Sequence, residues 1–278
     1  MKNEYVKSPL NYTGNKYKLL SQILPLFPKD IDTFYDVFGG SGTVLANVDA
    51  NKYVYNEISK PIKELVEWIS TCNAEQEVVN IRHEIERLGL YKNSKNEYYS
   101  FRDLYNETPN CMWLFILSCF SLNCNFRFNS KGKFNMSCGI RDFSKNMESR
   151  FVTFNHKLQT YNNIIFTNRD FASFVKLEKD DFVYLDPPYL PTIATYTENG
   201  AWTQEKEKQM FDYIDELNKN NVRFALSNVS IYRGKNNDLL YEWMKSYNVH
   251  NLDFKYTNNN RYQKDNSSIT QEVLITNY

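Results

Sequence analysis

The run Phe182-Val183-Tyr184-Leu185 passes directly into Asp186-Pro187-Pro188-Tyr189, and this junction limits the fold more than any other stretch. Four apolar residues followed by two prolines read as a buried strand breaking into a loop. The carboxyl end of such a strand is where open α/β sheets keep their chemistry. Prolines lack N–H donors and hold the backbone extended, so the Asp186 carboxylate and the Pro187 carbonyl can stand as two acceptors pointing the same way. That pair suits an NH2 group, and the Tyr189 ring offers a flat face for a planar nitrogen-containing substrate. Aspartate and proline also end strands with no chemistry attached, so a second motif is needed to choose.

Thr33-Phe34-Tyr35-Asp36-Val37 leads into Phe38-Gly39-Gly40-Ser41-Gly42. A strand, a glycine-rich turn and a helix start are what close backbone approach to a nucleotide-like cofactor requires. Tyr53-Val54-Tyr55-Asn56 reads as the next strand and ends at Glu57, about the 20-residue spacing at which such folds offer a carboxylate to ribose hydroxyls.

These two motifs in this order, with Tyr12-Thr13-Gly14-Asn15-Lys16 before them and a long insertion between, resemble the Dam family of DNA adenine-N6 methyltransferases (D12 class), most closely its bacteriophage branch. The likeness covers nearly the whole chain. It implies an α/β fold with a Rossmann-like, S-adenosyl-L-methionine-dependent methyltransferase sheet and an inserted helical target-recognition domain. The catalytic domain is expected over 1–59 and 160–278. The recognition domain is expected over 60–159, with a β-hairpin at about 123–136. The resemblance assigns the cofactor to Tyr12, Gly14, Lys16, Phe38, Gly39, Gly40, Ser41, Glu57, Asp170, Phe171 and Asp186, and catalysis to Asp186, Pro187 and Tyr189. Phe38 before the glycines, and no glycine at Val44 or Leu45 to complete GxGxxG, also match such a site better than a nicotinamide site. Asp170 has an ordinary alternative as a helix cap, and Tyr12 to Lys16 as a plain turn.

The chain has 278 residues, 42% of them hydrophobic, enough for one large domain carrying a smaller one. No stretch reaches the roughly 18 apolar residues of a membrane span, and the polar start carries no apolar signal region, so a cytoplasmic protein is expected. Cys72, Cys111, Cys119, Cys124 and Cys138 form no CxxC pair, which argues against a disulfide framework and a metal site. Formal net charge is zero, but Arg127 to Arg150 holds six cations against Asp142 and Glu148, net +4. The interleaved Phe126, Phe128, Phe134 and Phe143 are expected as exposed rings beside those cations, a pattern that suits nucleic acid.

Between Lys60 and Tyr161, Val78, Ile81, Ile85 and Leu88 recur at helical spacing, as do Tyr98, Phe101 and Tyr105, with Cys111 to Phe120 able to pack beneath them. The end of this block resembles the family's target-recognition hairpin, with Lys131-Gly132 as its tip. The resemblance assigns DNA contacts to Asn123, Asn125, Arg127, Asn129, Lys131, Lys133, Ser137 and Arg141, with Arg127 reading a guanine, as a bidentate guanidinium does well. Asn125 and Ser137 stand where the family pattern has an apolar residue and a proline that touch a thymine methyl. Asn11 stands where bacterial members have a base-reading lysine. These three departures separate the chain from the family default target GATC.

Downstream, Asn163 to Phe166 and Val222 to Ser227 read as strands, and Thr203 as the start of a helix that buries Met210, Phe211, Ile214 and Leu217. A polar, aromatic loop from Thr192 to Trp202 is placed to close over a flipped base. Leu252 to Thr257 and Gln271 to Thr276 read as an antiparallel pair whose loop carries Arg261 and Lys264 toward phosphate. The expected partners are double-stranded DNA and, by family habit, a cognate restriction endonuclease. Two rivals stay open: a methyltransferase on another amine or amide (cytosine N4, RNA or a protein glutamine), and a catalytically idle DNA-binding module.

Overall fold

A computed structural model of the chain describes residues 5–190, 202–253 and 270–278. Packing divides the chain into two compact units. The first comprises Met1–Tyr17, Gly39–Asn47 and Glu57–Asn168, and the second Lys18–Phe38, Val48–Asn56 and Arg169–Tyr278. Among the described residues no helix is long and apolar enough to cross a membrane.

The second unit is built on strands β1 (Thr33–Asp36), β2 (Lys52–Asn56), β4 (Phe182–Leu185), β5 (Arg223–Tyr232), β6 (Lys235–Asn236), β7 (Asn248–Leu252) and β8 (Gln271–Thr276), while β3 (Ile164–Thr167) lies in the first unit. The order within the second unit is β2-β1-β4-β5-β8-β7, with β6 folded back on β5. Strands β2, β1, β4 and β5 run parallel, and β8 is antiparallel to both β5 and β7. This is the mixed, mainly parallel, Rossmann-like sheet expected from the sequence. All four residues of β4 are buried, as an apolar run without alternation requires when both faces of a parallel sheet are covered. On one face Phe182 and Tyr184 meet Phe27 at ring distances of 4.7 and 5.4 Å. On the other, Val183 and Leu185 join Val37, Met210, Ile214 and Leu226 in one core.

Helix α1 (Leu20–Ile23) is a single turn. Helix α7 (Gln204–Lys219) starts where the Thr203 side chain accepts the Lys206 N–H at 3.2 Å, and it buries the face read from its sequence. The short α8 (Asp238–Trp243) is capped by Asn237. The terminal pair is displaced from expectation, because β7 occupies Asn248–Leu252 instead of starting at Leu252. Only Leu252 of that strand is buried, so it has no apolar alternation for a sequence reading to find. Residues 254–257 of the expected strand, Arg261 and Lys264, and 192–201 of the loop after Tyr189 lie outside the described residues.

The first unit contains α2 (Lys60–Thr71), α3 (Ala74–Arg87), α4 (Lys95–Glu107), α5 (Cys111–Phe120) and α6 (Lys145–Gln159). Asn73, Asn110 and Ser144 cap α3, α5 and α6 through their side chains. Trp68, Phe115 and Phe151 meet at the centre, with the two phenylalanine rings 5.0 Å apart. Gly42 has φ +68, and a Cβ there would lie 3.1 Å from the Phe154 ring, so the glycine turn needs this residue both for its backbone and for its space.

After α5 the chain forms a short hairpin. Phe128 and Phe134 bridge, the Asn129 N–H donates to the Lys133 carbonyl at 2.9 Å, and the Asn135 N–H to the Arg127 carbonyl at 2.9 Å. Asn106 on α4 binds both the N–H and the carbonyl of Phe134, and Tyr98 donates to the Met136 carbonyl at 3.2 Å. The expectation of exposed rings fails here: Phe126, Phe134 and Phe143 are buried. They seat the hairpin on the helices because ring area removed from water outweighs any benefit of display. Arg127, Lys131, Lys133 and Arg141 remain exposed.

Two predictions follow from this packing. A Cβ at Gly139 would sit 2.3 Å from the Ser121 carbonyl oxygen at the hairpin root. Gly139→Ala is therefore expected to lower stability by about 1–3 kcal/mol in urea unfolding, and a loss below about 0.5 kcal/mol would contradict this contact. Glu207 is buried on α7, with one carboxylate oxygen bound by Asn228 and Asn237 at 3.4 and 3.1 Å and the other without a partner among the described residues. Burial raises its pKa above the ordinary 4.5. The folded state thus holds this proton more tightly than the unfolded one, so the charged form weakens the fold at high pH and the penalty fades as pH falls toward 4.5. Glu207→Gln should raise the melting temperature at about pH 8 and lose that advantage near pH 5; a pH-independent difference would contradict this.

Candidate active site and recognition hairpin

In the second unit the carboxyl ends of the strands are stitched by one buried side chain. Asn56, the last residue of β2, donates from its amide nitrogen to the Val37 carbonyl at 2.9 Å and the Arg169 carbonyl at 3.0 Å, and its amide oxygen accepts the Arg169 N–H at 2.9 Å. The residues that follow these three in the chain are Phe38, Glu57 and Asp170. The Phe38 and Phe171 rings stack at 5.9 Å and 29°. Trp202 stands edge-on to Phe38 at 5.8 Å, and its buried indole N–H has no partner among the described residues. Asp170 caps the 3-10 turn Phe171–Ser173 by accepting the Ala172 N–H at 3.0 Å. Its ordinary reading as a cap is thus realised, and its carboxylate remains exposed beside the buried Phe171.

The Val37 N–H donates to the Tyr184 carbonyl at 3.0 Å, so the two motifs leave neighbouring parallel strands. Beyond β4, Asp186 and Tyr189 are half-buried, and the Tyr189 hydroxyl donates to Asp186 Oδ1 at 2.9 Å. Burial and the Asp186 charge push the Tyr189 phenol well above its usual pKa, so it stays a donor. Pro187 is buried, which fixes the backbone on which its carbonyl sits. Tyr184 and Ser227 share a buried hydroxyl pair at 2.8 Å beneath this loop.

In the first unit Glu57 is buried, and both its oxygens accept backbone donors: Gly40 N–H at 2.9 Å and Ser59 N–H at 2.8 Å. Burial raises its pKa against these hydrogen bonds, which lower it. The carboxylate therefore holds the glycine turn in shape, a task the ribose reading did not include. Gly39 precedes Gly40 in the chain, and Ser41 is buried, its hydroxyl 2.8 Å from that of Thr43. Asn15 donates to both hydroxyls at 2.9 Å. Lys16 is buried, with its ammonium 2.9 Å from the Gly14 carbonyl, while Tyr12 is half-exposed and Gly14 exposed at the turn.

On the hairpin, the Arg127 guanidinium donates twice to Asn135, to its side-chain oxygen and its carbonyl, both at 2.8 Å. This pre-orients the fork. Asn129 builds the tip by accepting the Lys131 and Lys133 N–H groups at 2.9 and 3.0 Å. Asn123 and Ser137 are exposed with Arg141, and the Ser137 carbonyl accepts the Leu122 N–H at 2.8 Å. Asn125 donates to the Thr13 hydroxyl at 2.9 Å, and Asn11 to the Asn123 carbonyl at 3.4 Å.

Sequence reasoning missed Asn56, Asn135 and the ring role of Trp202. Asn56 had one signal, a polar residue ending an apolar strand before a carboxylate. Asn135 and Trp202 had none without their partners.

A family model described as D12 class N6 adenine-specific DNA methyltransferase matches residues 12–258. The chain is 42% identical to the modification methylase StsI of Streptococcus sanguinis and 39% identical to the type II methyltransferase M.FokI of Planomicrobium okeanokoites. Each match covers 99% of this chain and 43% of the relative, so the chain spans about two fifths of the length of these relatives. It is 25% identical to the DNA adenine methylase of Escherichia coli (strain K12) over 79% of each chain. Methyltransferases of this kind use S-adenosyl-L-methionine as methyl donor. With a match that runs from Tyr12 past both motifs and near-complete coverage by relatives at about 40% identity, the chain belongs to the D12 class of N6 adenine-specific DNA methyltransferases.

Proposed function

We propose that this chain methylates the N6 amino group of adenine in duplex DNA at a specific site, with the target base flipped out of the helix. The observation that carries the reading is the departure of the glycine turn and the Asp186 loop from neighbouring parallel strands, joined by the Val37 to Tyr184 hydrogen bond. S-adenosyl-L-methionine, when bound, supplies an electrophilic methyl group. The residues present fit it: the Phe38–Phe171 ring pair offers apolar faces to a purine, and the Trp202 N–H, without a partner among the described residues, is a polar donor in that cluster. In this reading Phe38, Asp170 and Phe171 receive the adenine of the cofactor, Glu57 its ribose, and Tyr12, Gly14, Lys16, Gly39, Gly40, Ser41 and Asp186 the rest.

The amino nitrogen of adenine is a poor nucleophile because its lone pair is delocalised into the ring. Asp186 and the Pro187 carbonyl accept its two N–H groups, which favours a more tetrahedral nitrogen, and the carboxylate stabilises the positive charge that develops there. Asp186 Oδ1 accepts the Tyr189 hydroxyl at 2.9 Å, which restrains the carboxylate. The Tyr189 ring stacks on the flipped adenine, a contact worth about 1–3 kcal/mol against a flipping cost of a few kcal/mol.

The hairpin supplies the specificity. Arg127, held by Asn135, reads a guanine. Asn123, Asn125, Asn129, Lys131, Lys133, Ser137 and Arg141 contact neighbouring bases and phosphates. Asn125 and Ser137 place polar side chains where the family pattern touches a thymine methyl, which supports a target that keeps a guanine and the methylated adenine and differs from GATC. The names of its relatives, modification methylase and type II methyltransferase, support a role beside a cognate restriction endonuclease. Long-read sequencing of DNA from cells expressing the chain tests the whole reading: N6-methyladenine at one recurring non-GATC site is expected, and strict GATC would refute the altered target.

Asp186→Ala is expected to lower the single-turnover rate about 10²- to 10³-fold with the fold retained by circular dichroism, and a loss below about tenfold would contradict its role. Tyr189→Phe keeps the ring and should cost far less than Tyr189→Ala. Arg127→Ala should cost about 1–3 kcal/mol on the true site and much less once the partner guanine is changed. Equal losses on both duplexes, with a salt slope reduced by about one, would instead mark a phosphate contact.

A further inference from the structure

The strip from Asn11 to Asn15 is tied in two directions within the first unit. Toward the glycine turn, the Asn15 carboxamide donates to Ser41 Oγ and Thr43 Oγ1, both at 2.9 Å, and its oxygen accepts the Tyr17 N–H at 2.8 Å. Toward the hairpin, the Asn125 amide donates to the Thr13 hydroxyl at 2.9 Å, and the Asn11 amide to the Asn123 carbonyl at 3.4 Å. Only Gly14 separates Thr13 from Asn15, and the Lys16 ammonium turns back to the Gly14 carbonyl at 2.9 Å. One short element thus carries hydrogen bonds to both.

The hairpin root is stiff. Asn123 and Cys124 both hold left-handed backbones, φ +58 and +54; asparagine enters this region readily, but a cysteine stays there only where its surroundings hold it. The Ser121 hydroxyl donates to the Asn125 carbonyl at 2.8 Å, and the Cys124 N–H to the Ser121 carbonyl at 2.9 Å. A shift imposed at Asn125 is therefore passed to Arg127, two residues on, instead of being absorbed. Thr13 is exposed and Asn125 half-exposed, so their hydrogen bond competes with water. It contributes little to the stability of the fold, and its value is geometric.

We propose that Asn125 and Thr13 are positioning residues that make cofactor binding and base recognition interdependent, an inference that rests on the placement of the cofactor and DNA proposed above. A ligand that orders Gly14 and Lys16 favours the strip geometry in which Thr13 meets Asn125, and that contact favours the hairpin geometry that reads DNA. Linkage makes the effect reciprocal: DNA on the hairpin tightens the cofactor by the same factor.

The test uses S-adenosylhomocysteine, which cannot be turned over, and a duplex carrying the site returned by the sequencing experiment. Duplex affinity is measured by fluorescence anisotropy with and without the nucleoside, and nucleoside affinity by calorimetry with and without duplex. In the unaltered chain each ligand is expected to tighten the other about fivefold or more. In Asn125→Ala, and separately in Thr13→Val, that factor should fall to within about twofold of unity, with no further fall in the double variant. Nucleoside affinity without DNA should stay close to that of the unaltered chain. A merely structural role would lower both affinities and the melting temperature while leaving the coupling factor intact, and that result overturns the proposal. So does an unaltered chain that binds both ligands without coupling. An unaltered chain that binds neither refutes the proposed function itself, and this inference with it.

Discussion

The carboxamide of Asn56 decides where the chain segments leave the sheet of the second unit. It gives two hydrogen bonds and takes one, to Val37 and Arg169, in a place closed to water. The Val37 carbonyl it satisfies belongs to a buried residue, and leaving such a group unpaired costs about 1–3 kcal/mol. Its geometry fixes the starting points of Phe38, Glu57 and Asp170, and no loop closure on either side can move one of them without breaking the set. The stacking of Phe38 on Phe171 depends on this constraint, since both rings stand one or two residues beyond a bonded backbone group.

Glu57 extends the same logic into the first unit. A buried carboxylate is costly unless hydrogen-bonded, and here the Gly40 and Ser59 N–H groups meet that cost. In return the glycine turn is held open before any ligand arrives. The hairpin repeats the device with a cation: Asn135 takes two donors of Arg127, which limits the freedom of an exposed guanidinium. Both sites are thus organised by side chains that bind the protein itself, leaving the chemistry to groups already in position.

Much of this was legible in the sequence because it is periodic or punctuated. Phe182 to Leu185 is apolar throughout, Phe38 to Gly42 is broken by glycines, and Met210, Phe211, Ile214 and Leu217 repeat at helical spacing. What failed had no such signature. Phe126, Phe134 and Phe143 sit among lysines and arginines in the chain, so composition suggested exposure, yet they are buried beneath a hairpin whose cations face outward. Strand β7 buries only Leu252, and its strand character comes from the ladder with β8. Asn56, Asn135 and Trp202 act through partners distant in sequence. Glu57 and Asp170 drew attention as ligand carboxylates, but their backbone partners became visible only once the chain was folded.

The central claim is that Asp186 and the Pro187 carbonyl activate an exocyclic amine of adenine and of no other base. Nucleoside analysis of duplex DNA after incubation with methyl-labelled S-adenosyl-L-methionine tests this most directly. The account predicts all base-linked label as N6-methyldeoxyadenosine, whereas label in N4-methyldeoxycytidine, or in no nucleoside at all, would contradict it.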